Sequence, residues 1–392
     1  MMITALWKKL LQQKLPSGGR FRLGWLSTWN AKCGIAEYSK LLLEQFDPQR
    51  FAWTVLASKN DILLAPDTDR VIRCWTNRLG PVDSLLRTLK DEAFDGLVIQ
   101  FNFGFLSLAD LGAVVSLCRS LGTKVVVVFH ATADVDIAGQ RASLAQIADD
   151  LAKADHILVH SPDDIVRLAG FGLRDNVSLF PHGYIETGAV DRVAAREALA
   201  LPADALVVGS YGFFLPHKGI EQLIEATALL HAAGVPAKLL LVNALYPIAQ
   251  SQEELDRCRR LAGDRGLGAE VIFESRFLPN QASLQALAAC DVIVYAYQGT
   301  QESSSAAVRM GIAARRPVLC SPLSIFSDVA DVVRFLPGTR PEDIRDGVQS
   351  LLSDEVGRQA LLQRQDAWLD RYSWNRVAQL LQEMLQPRGG RV

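Results

Sequence analysis

The sequence predicts an α/β protein built from two doubly wound domains. Three observations predict it. Short continuous Val/Ile/Leu runs alternate with helical stretches, the pattern of parallel strands covered on both faces. That strand–helix grammar stops at Pro181-His182-Gly183 and restarts at Ala205. The chain has 392 residues, enough for two or three domains at roughly 150 residues each.

In the first half, Arg20–Ser27 reads as a strand, Gly34–Phe46 as a helix and Phe51–Ala57 as a strand. Leu97–Phe101 is an apolar strand apart from Gln100, Leu108–Leu121 a helix, Lys124–Phe129 a buried strand and Ile157–His160 a short one. Residues 184–203 read as an irregular, Ala-rich connector. Beyond it, Ala205–Tyr211 is a strand, Gly219–Ala233 a helix, Lys238–Val242 a strand and Ser251–Arg265 a helix. Glu270–Phe273, Val292–Tyr295 and Pro317–Cys320 complete the strands. A last helix begins near Ser373, an N-cap before Trp374. The expected division is a helix over 1–19, a first domain over 20–183, the connector, a second domain over 204–372 and a final helix with its tail over 373–392. Open sheets of this kind take ligands outside the carboxyl ends of their strands, and two facing domains make a cleft.

Composition narrows the function classes. With 49% hydrophobic and 21% charged residues the chain is too apolar for wholesale disorder. No apolar run approaches the 18 or so residues of a membrane span. Lys+Arg 41 against Asp+Glu 43 leaves a net charge of -2, and a protein that neutralised a nucleic-acid backbone would be basic. Six cysteines with no CxxC pair fit a reducing compartment, not a disulfide framework or a zinc site. Cys118, Cys290 and Cys320 sit in apolar stretches as small hydrophobes. Residues 1–19 lack the features of a signal peptide. They place Ile3, Leu6, Trp7, Leu10, Leu11 and Leu15 on one helical stripe, with Lys8, Lys9 and Lys14 elsewhere. Such a helix packs on its own domain or a partner, or lies on a membrane surface. The expected location is the cytoplasm, with peripheral attachment at the inner face of the membrane under the second reading.

Four segments carry polar chemistry at strand ends. Ser27–Tyr38 runs from a strand into a helix near Gly34, where free N–H groups could receive an anion and a glycine lets it approach; Asn30 lies in this loop. No G-x-G-x-x-G accompanies it, so a dinucleotide fingerprint is absent. His130 closes the Val-rich strand, where an imidazole could bind substrate or move a proton. Gln100 and Asn102 close the neighbouring strand and are weaker candidates for a polar acceptor, while His160 and His182 default to structural roles. In Tyr211–Ile220 a Pro-containing loop leads to Lys218-Gly219 at a helix start, a point charge suited to a diphosphate. In Tyr297–Arg309, Glu302 precedes Ser303, Ser304 and Ser305 at a helix start. The serines offer hydroxyls and N–H groups, and the carboxylate could accept hydrogen bonds from sugar hydroxyls or cap the helix. Arg309, seven residues later, could face the ligand beside Glu302 or sit on a solvated face.

In order and spacing these segments resemble a GT-B glycosyltransferase of family 4, the retaining nucleotide-sugar-dependent enzymes. The Lys218 loop looks like that family's phosphate-binding segment, and Glu302-Ser-Ser-Ser-Ala-Ala-Val-Arg like the first half of its two-Glu signature. Ser27–Tyr38 resembles the N-terminal loop of a bacterial polysaccharide or glycan subfamily, and Tyr372-Ser373-Trp374 the start of a helix that crosses back onto the first domain. The likeness covers about residues 20–386. It implies two Rossmann-like domains facing a cleft, with Glu302 on the donor sugar, Lys218 on the leaving diphosphate, Gly34 giving an amide to a phosphate and His130 touching sugar or acceptor. The donor is then a nucleotide diphosphate sugar, the acceptor a glycan, lipid-linked sugar or protein, and neither metal nor cofactor is demanded.

Two positions depart from the family pattern. Phe213 stands where an Arg is usual, and Met310 where the second Glu, the ribose partner, would fall. Arg309, or Arg276 in the Glu274-Ser275-Arg276-Phe277 loop, could compensate for the first. A catalytically impaired GT-B subunit assisting a partner transferase is therefore the alternative reading, with a nucleotide-sugar epimerase of the same architecture as a third.

Overall fold

A computed structural model describes residues 19–77, 80–184, 186, 190–300 and 302–386. The helix expected over 1–19 falls almost wholly outside these residues. The chain divides into two compact units, Met1–Phe180 with Trp374–Val392, and Pro181–Ser373.

The first unit has strands β1 (Phe21–Ser27), β2 (Phe51–Ser58), β3 (Val71–Trp75), β4 (Gly96–Phe101) and β5 (Lys124–Phe129). A hairpin of β6 (Val135–Ile137) and β7 (Gln140–Ala142) precedes β8 (His156–Val159) and β9 (Val177–Leu179). All strands but the hairpin form one seven-stranded parallel sheet in the order β3-β2-β1-β4-β5-β8-β9. Reversal of the order beside β1 is the doubly wound arrangement. The runs Leu97-Val98-Ile99 and Val125–Val128 are entirely buried, because helices cover both faces. Those helices are α1 (Gly34–Leu43), α2 (Asp83–Glu92), α3 (Leu108–Ser120), the single turn α4 (Ala148–Leu151) and α5 (Pro162–Gly170).

The second unit repeats the plan. It contains α6 (Arg192–Ala198), β10 (Leu206–Phe213), α7 (Ile220–Ala232), β11 (Ala237–Ala244), α8 (Ala249–Asp264) and β12 (Val271–Glu274). There follow α9 (Asn280–Ala288), β13 (Val292–Tyr295), α10 (Ala306–Ala313), β14 (Val318–Cys320), β15 (Arg334–Phe335), α11 (Pro341–Ser353) and α12 (Glu355–Leu369). Its six-stranded sheet runs β12-β11-β10-β13-β14-β15, again all parallel and again reversing at its first strand.

One stretch differs from expectation. Residues 184–203 are not wholly irregular: Asp191 caps α6 by accepting from Val193 N (2.8 Å) and Ala194 N (3.3 Å). Arg196 on that helix is buried and donates to the carbonyls of Ala289, Pro202, Ala203 and Ala205. This stretch therefore belongs to the second unit. The chain leaves that unit beside its point of entry, where Tyr184 N donates to Tyr372 O at 3.0 Å.

The final helix, α13 (Trp374–Leu385), belongs to the first unit. Its Val377, Ala378, Leu381 and Leu385 are buried, the i, i+1, i+4, i+8 spacing of an apolar stripe. The Gln382 amide oxygen accepts from Asp47 N at 3.1 Å, Lys124 Nζ donates to the Met384 and Gln386 carbonyls, and Trp374 meets the Tyr38 ring edge-on at 5.1 Å. Among the described residues no helix is long and apolar enough to cross a membrane.

Candidate functional site

One polar constellation lies at the carboxyl ends of β10 and β13, neighbours in the second sheet. From β10 the chain passes Gly212, at φ +144, and enters a single 3-10 turn, Pro216–Lys218. Gly219 follows at φ +69 and precedes α7. A Cβ at Gly219 would lie 1.8 Å from the Ala296 carbonyl oxygen, so only glycine lets this turn press against the one after β13. Gln298 N donates to His217 O at 2.8 Å, joining the two turns through their backbones.

Side chains join them again. Lys218 Nζ sits 4.0 Å from the centroid of the Tyr297 ring, His217 meets the same ring edge-on at 6.2 Å, and the Tyr297 hydroxyl lies 3.3 Å from Ser305 Oγ. The Lys218 and Glu302 turns thus share one wall. Burial, and after it the Lys218 charge, pushes His217 down to about 4, so it is neutral at physiological pH and leaves the ammonium as the cation there.

Glu302 is exposed, and Thr300 Oγ1 accepts from its backbone N–H at 3.1 Å. It does not cap the helix. The N-cap is Ser305, whose hydroxyl accepts from Val308 N. The Glu302 side chain is therefore not committed to the helix cap. The serines behind it are largely committed inward: Ser304 Oγ donates to Asp328 Oδ2 at 2.7 Å, and Ser305 serves the cap and Tyr297. Ser303 is buried.

Arg309 requires a correction. It does not stand beside Glu302 facing a ligand. It is 4% exposed, donates to Ser305 O at 2.6 Å and forms an ion pair with Asp328. An unpaired buried cation is costly, so the arginine takes the available carboxylate. Met310 is buried in the core of the unit and offers a ribose nothing polar. Arg276 pairs with Glu274 two residues earlier and keeps most of its side chain exposed. Phe213 stacks on Phe277 (centroids 6.2 Å apart, planes at 9°) and meets Tyr246 edge-on at 5.1 Å. Phe277 keeps 44% of its surface exposed, and its free face suits a planar or apolar ligand group.

The first unit gathers a second set at the ends of β1, β4 and β5. Gly34 opens α1 and is exposed, and a Cβ there would meet nothing within 4 Å; packing does not demand the glycine. His130 Nε2 lies 2.7 Å from Gln100 Oε1, joining two expected candidates across neighbouring strands. The His130 ring packs edge-on against Tyr38 at 5.0 Å and lies 5.1 Å from His160. Burial first, then His160, holds His130 well below its ordinary pKa, so it is a neutral hydrogen-bonding group. His160 Nδ1 donates to the Phe180 carbonyl at 2.9 Å, so that nitrogen carries the proton.

Two acceptor-side candidates have local duties. Asn102 Oδ1 accepts from Gly104 N at 2.9 Å. Asn30, at φ +53, donates to Asp67 Oδ1 at 3.0 Å. Asp67 in turn holds Arg73 (Nε to Oδ2, 2.7 Å), an organising network that sequence reasoning missed. Two Asp-x-Asp triplets occur, both in this unit: Asp67-Thr68-Asp69 and Asp134-Val135-Asp136. Asp67 is engaged as above, Asp134 pairs with Arg141 and Asp136 accepts from Gly139 N.

Residues 191–367 match the family model described as glycosyl transferases group 1. A D-inositol 3-phosphate glycosyltransferase of Actinosynnema mirum is 28% identical over 232 residues, covering 57% of this chain. The match spans about half (51%) of that relative. Sucrose-phosphate synthase of Thermosynechococcus elongatus superposes with a TM-score of 0.72 at 18% identity, over 93% of this chain and 98% of that one. Anabaena HepE in complex with UDP gives 0.72 at 15% identity, over 93% and 99%. A glycosyltransferase of Rickettsia africae gives 0.74 at 12%, over 94% and 98%. The fold is GT-B, the two-domain architecture of these glycosyltransferase structures.

Proposed function

We propose that this chain is a retaining glycosyltransferase of the family 4 type, moving a hexose or deoxyhexose from a nucleotide diphosphate sugar to a glycan, lipid-linked or protein acceptor. HepE has been solved with UDP and with UDP-glucose, which supports a sugar nucleotide as donor. The observation that carries the reading is the shared wall of the second unit: Lys218 and the Glu302 turn meet through Tyr297 and Ser305. A cation suited to a diphosphate and a carboxylate suited to sugar hydroxyls stand at one end of one sheet.

In this reading Lys218 leaves the Tyr297 ring for the diphosphate. A cation–π contact is worth about 0.5–2 kcal/mol, whereas a charged hydrogen bond contributes about 1.5–3 kcal/mol, so the phosphate wins. Phe277 offers its exposed face to the base. Glu302 accepts from the sugar hydroxyls and holds the anomeric carbon in register. The acceptor hydroxyl oxygen bonds to that carbon as the carbon–oxygen bond to the diphosphate breaks. Its proton passes to the departing phosphate oxygen on the same face, leaving a glycoside and a nucleoside diphosphate. Lys218 stabilises the charge that develops on the leaving group, an effect of roughly 10²–10³ in rate for a placed donor. Nothing in this scheme calls for a metal or a further cofactor. On the first unit, the Gly34 amide and the His130–Gln100 pair supply polar groups for phosphate and acceptor.

Phe213 and Met310 favour the second reading, a subunit that binds nucleotide or glycan without transfer. Turnover with a panel of sugar nucleotides, comparing the native chain with Lys218→Ala and Glu302→Ala, separates the two. Donor consumption lost in both variants supports the transferase. Nucleotide binding with no turnover of any donor supports the subunit. A role in bacterial surface glycan synthesis is part of this proposal and is tested by the acceptors that serve.

A further inference from the structure

The turn that carries Glu302 is held from behind by groups to which no role has been given. Asp328 lies in a 3-10 segment, Ser324–Val332, beyond β14. Its side chain is 8% exposed and that of Arg309 is 4% exposed. One Asp328 oxygen accepts from both Arg309 and Ser304, the latter at 2.7 Å. Arg309 reaches back one helical turn to the Ser305 carbonyl at 2.6 Å. The start of α10 is pinned from the sheet side as well. The Tyr295 hydroxyl donates to Ala307 O at 2.6 Å and accepts from Gly311 N at 3.1 Å. Gly311 is what admits it, since a Cβ there would stand 2.8 Å from that oxygen.

A buried ion pair is weak evidence for stability, because desolvation offsets most of the attraction. This pair is better explained by what it fixes. Asp328 holds Ser304 directly, Arg309 ties the same carboxylate to the Ser305 carbonyl, and Glu302, two residues ahead of Ser304, is exposed. We propose that Asp328 is a positioning residue: through Ser304 and Arg309 it sets the turn from which Glu302 meets the donor sugar. The inference rests on the reading of Glu302 given above. It extends that reading to a carboxylate that never touches the ligand.

The test uses Asp328→Asn and the double variant Arg309→Met with Asp328→Leu. The double variant replaces the pair with apolar groups of similar bulk, a change often neutral or stabilising for the fold. Hydrogen–deuterium exchange reads the 298–306 peptide, and donor turnover and nucleoside diphosphate affinity are measured beside it. The expected result is faster exchange in that peptide in both variants, with the melting temperature of the double variant close to native. Donor kcat/KM falls on the order of 10²-fold, the loss that a misplacement of about 1 Å produces, while affinity for the free nucleoside diphosphate, held at the Lys218 end, is unchanged. A double variant with native exchange and native turnover overturns the proposal, because the pair would then serve the fold alone. If the native chain turns over no donor, the transferase reading fails, and the exchange measurement still decides whether Asp328 sets the turn.

Discussion

The Lys218 ammonium rests 4.0 Å from the centre of the Tyr297 ring. One residue pair therefore joins the turn after β10 to the turn after β13. The ring sets where the cation waits, and its hydroxyl reaches Ser305 at the head of α10. Replacing Tyr297 with Leu removes both contacts, and replacing it with Phe removes only the second. We expect nucleoside diphosphate affinity to fall more in Tyr297→Leu than in Tyr297→Phe, read by calorimetric titration. Equal losses would mean that the hydroxyl, not the ring, matters.

Gly219 and Gly34 should behave oppositely. Gly219 has φ +69 and no room for a Cβ beside Ala296 O. Gly219→Ala should cost about 1–2 kcal/mol in backbone strain alone, with the clash in addition, and lower the melting temperature. Gly34 has open space where a Cβ would go. Gly34→Ala should leave the melting temperature near native and weaken binding of the phosphate-bearing ligand. A destabilised Gly34→Ala would show that packing, not ligand approach, accounts for that glycine.

Acidification should destabilise the fold through its depressed imidazoles. Unfolded histidine binds a proton near pH 6.5, while folded His217 does so only at about 4. His130 is also held well below its ordinary value. Between those limits the unfolded chain binds more protons, so stability rises with pH and this contribution is complete above about 6.5. Thermal scans from pH 7 down to 4.5 should show a falling melting temperature, with a shallower slope in His217→Gln. An unchanged slope in that variant would remove His217 from the account.

Glu302→Gln keeps the shape of the side chain and removes its charge. Its kcat/KM for the donor should drop by about 10²–10³, with nucleoside diphosphate affinity held. Loss of that affinity as well would place Glu302 on the nucleotide instead of the sugar.

How far the sequence disclosed this depended on whether a feature was local. Lys124–Phe129 and Val292–Tyr295 are found where expected, since apolar runs buried on both faces allow little else. The edge strands β3, β9 and β15 were missed, whereas the edge strand β12 was expected. Val71–Trp75 carries Arg73 in its middle, and Arg334–Phe335 is only two residues long. Glu302 and Lys218 stand out in the sequence because they follow strand ends, where parallel sheets take ligands, and the structure joins their two turns through Tyr297. The environment of Arg309 was not, because its partner Asp328 comes 19 residues later through a separate strand. The pairing of His130 with Gln100 across strands needed the register, which composition alone does not give.

The central claim is that one turn grips the diphosphate and the next grips the sugar. Titration calorimetry of nucleoside diphosphates and their sugar conjugates against the native chain, Lys218→Met and Glu302→Ala tests it most directly. The account predicts that at least one nucleoside diphosphate binds, that Lys218→Met loses both ligands, and that Glu302→Ala keeps the nucleoside diphosphate while losing the extra affinity the sugar confers. Native affinity for the diphosphate in Lys218→Met, or no binding by the native chain to any member of the panel, would contradict it.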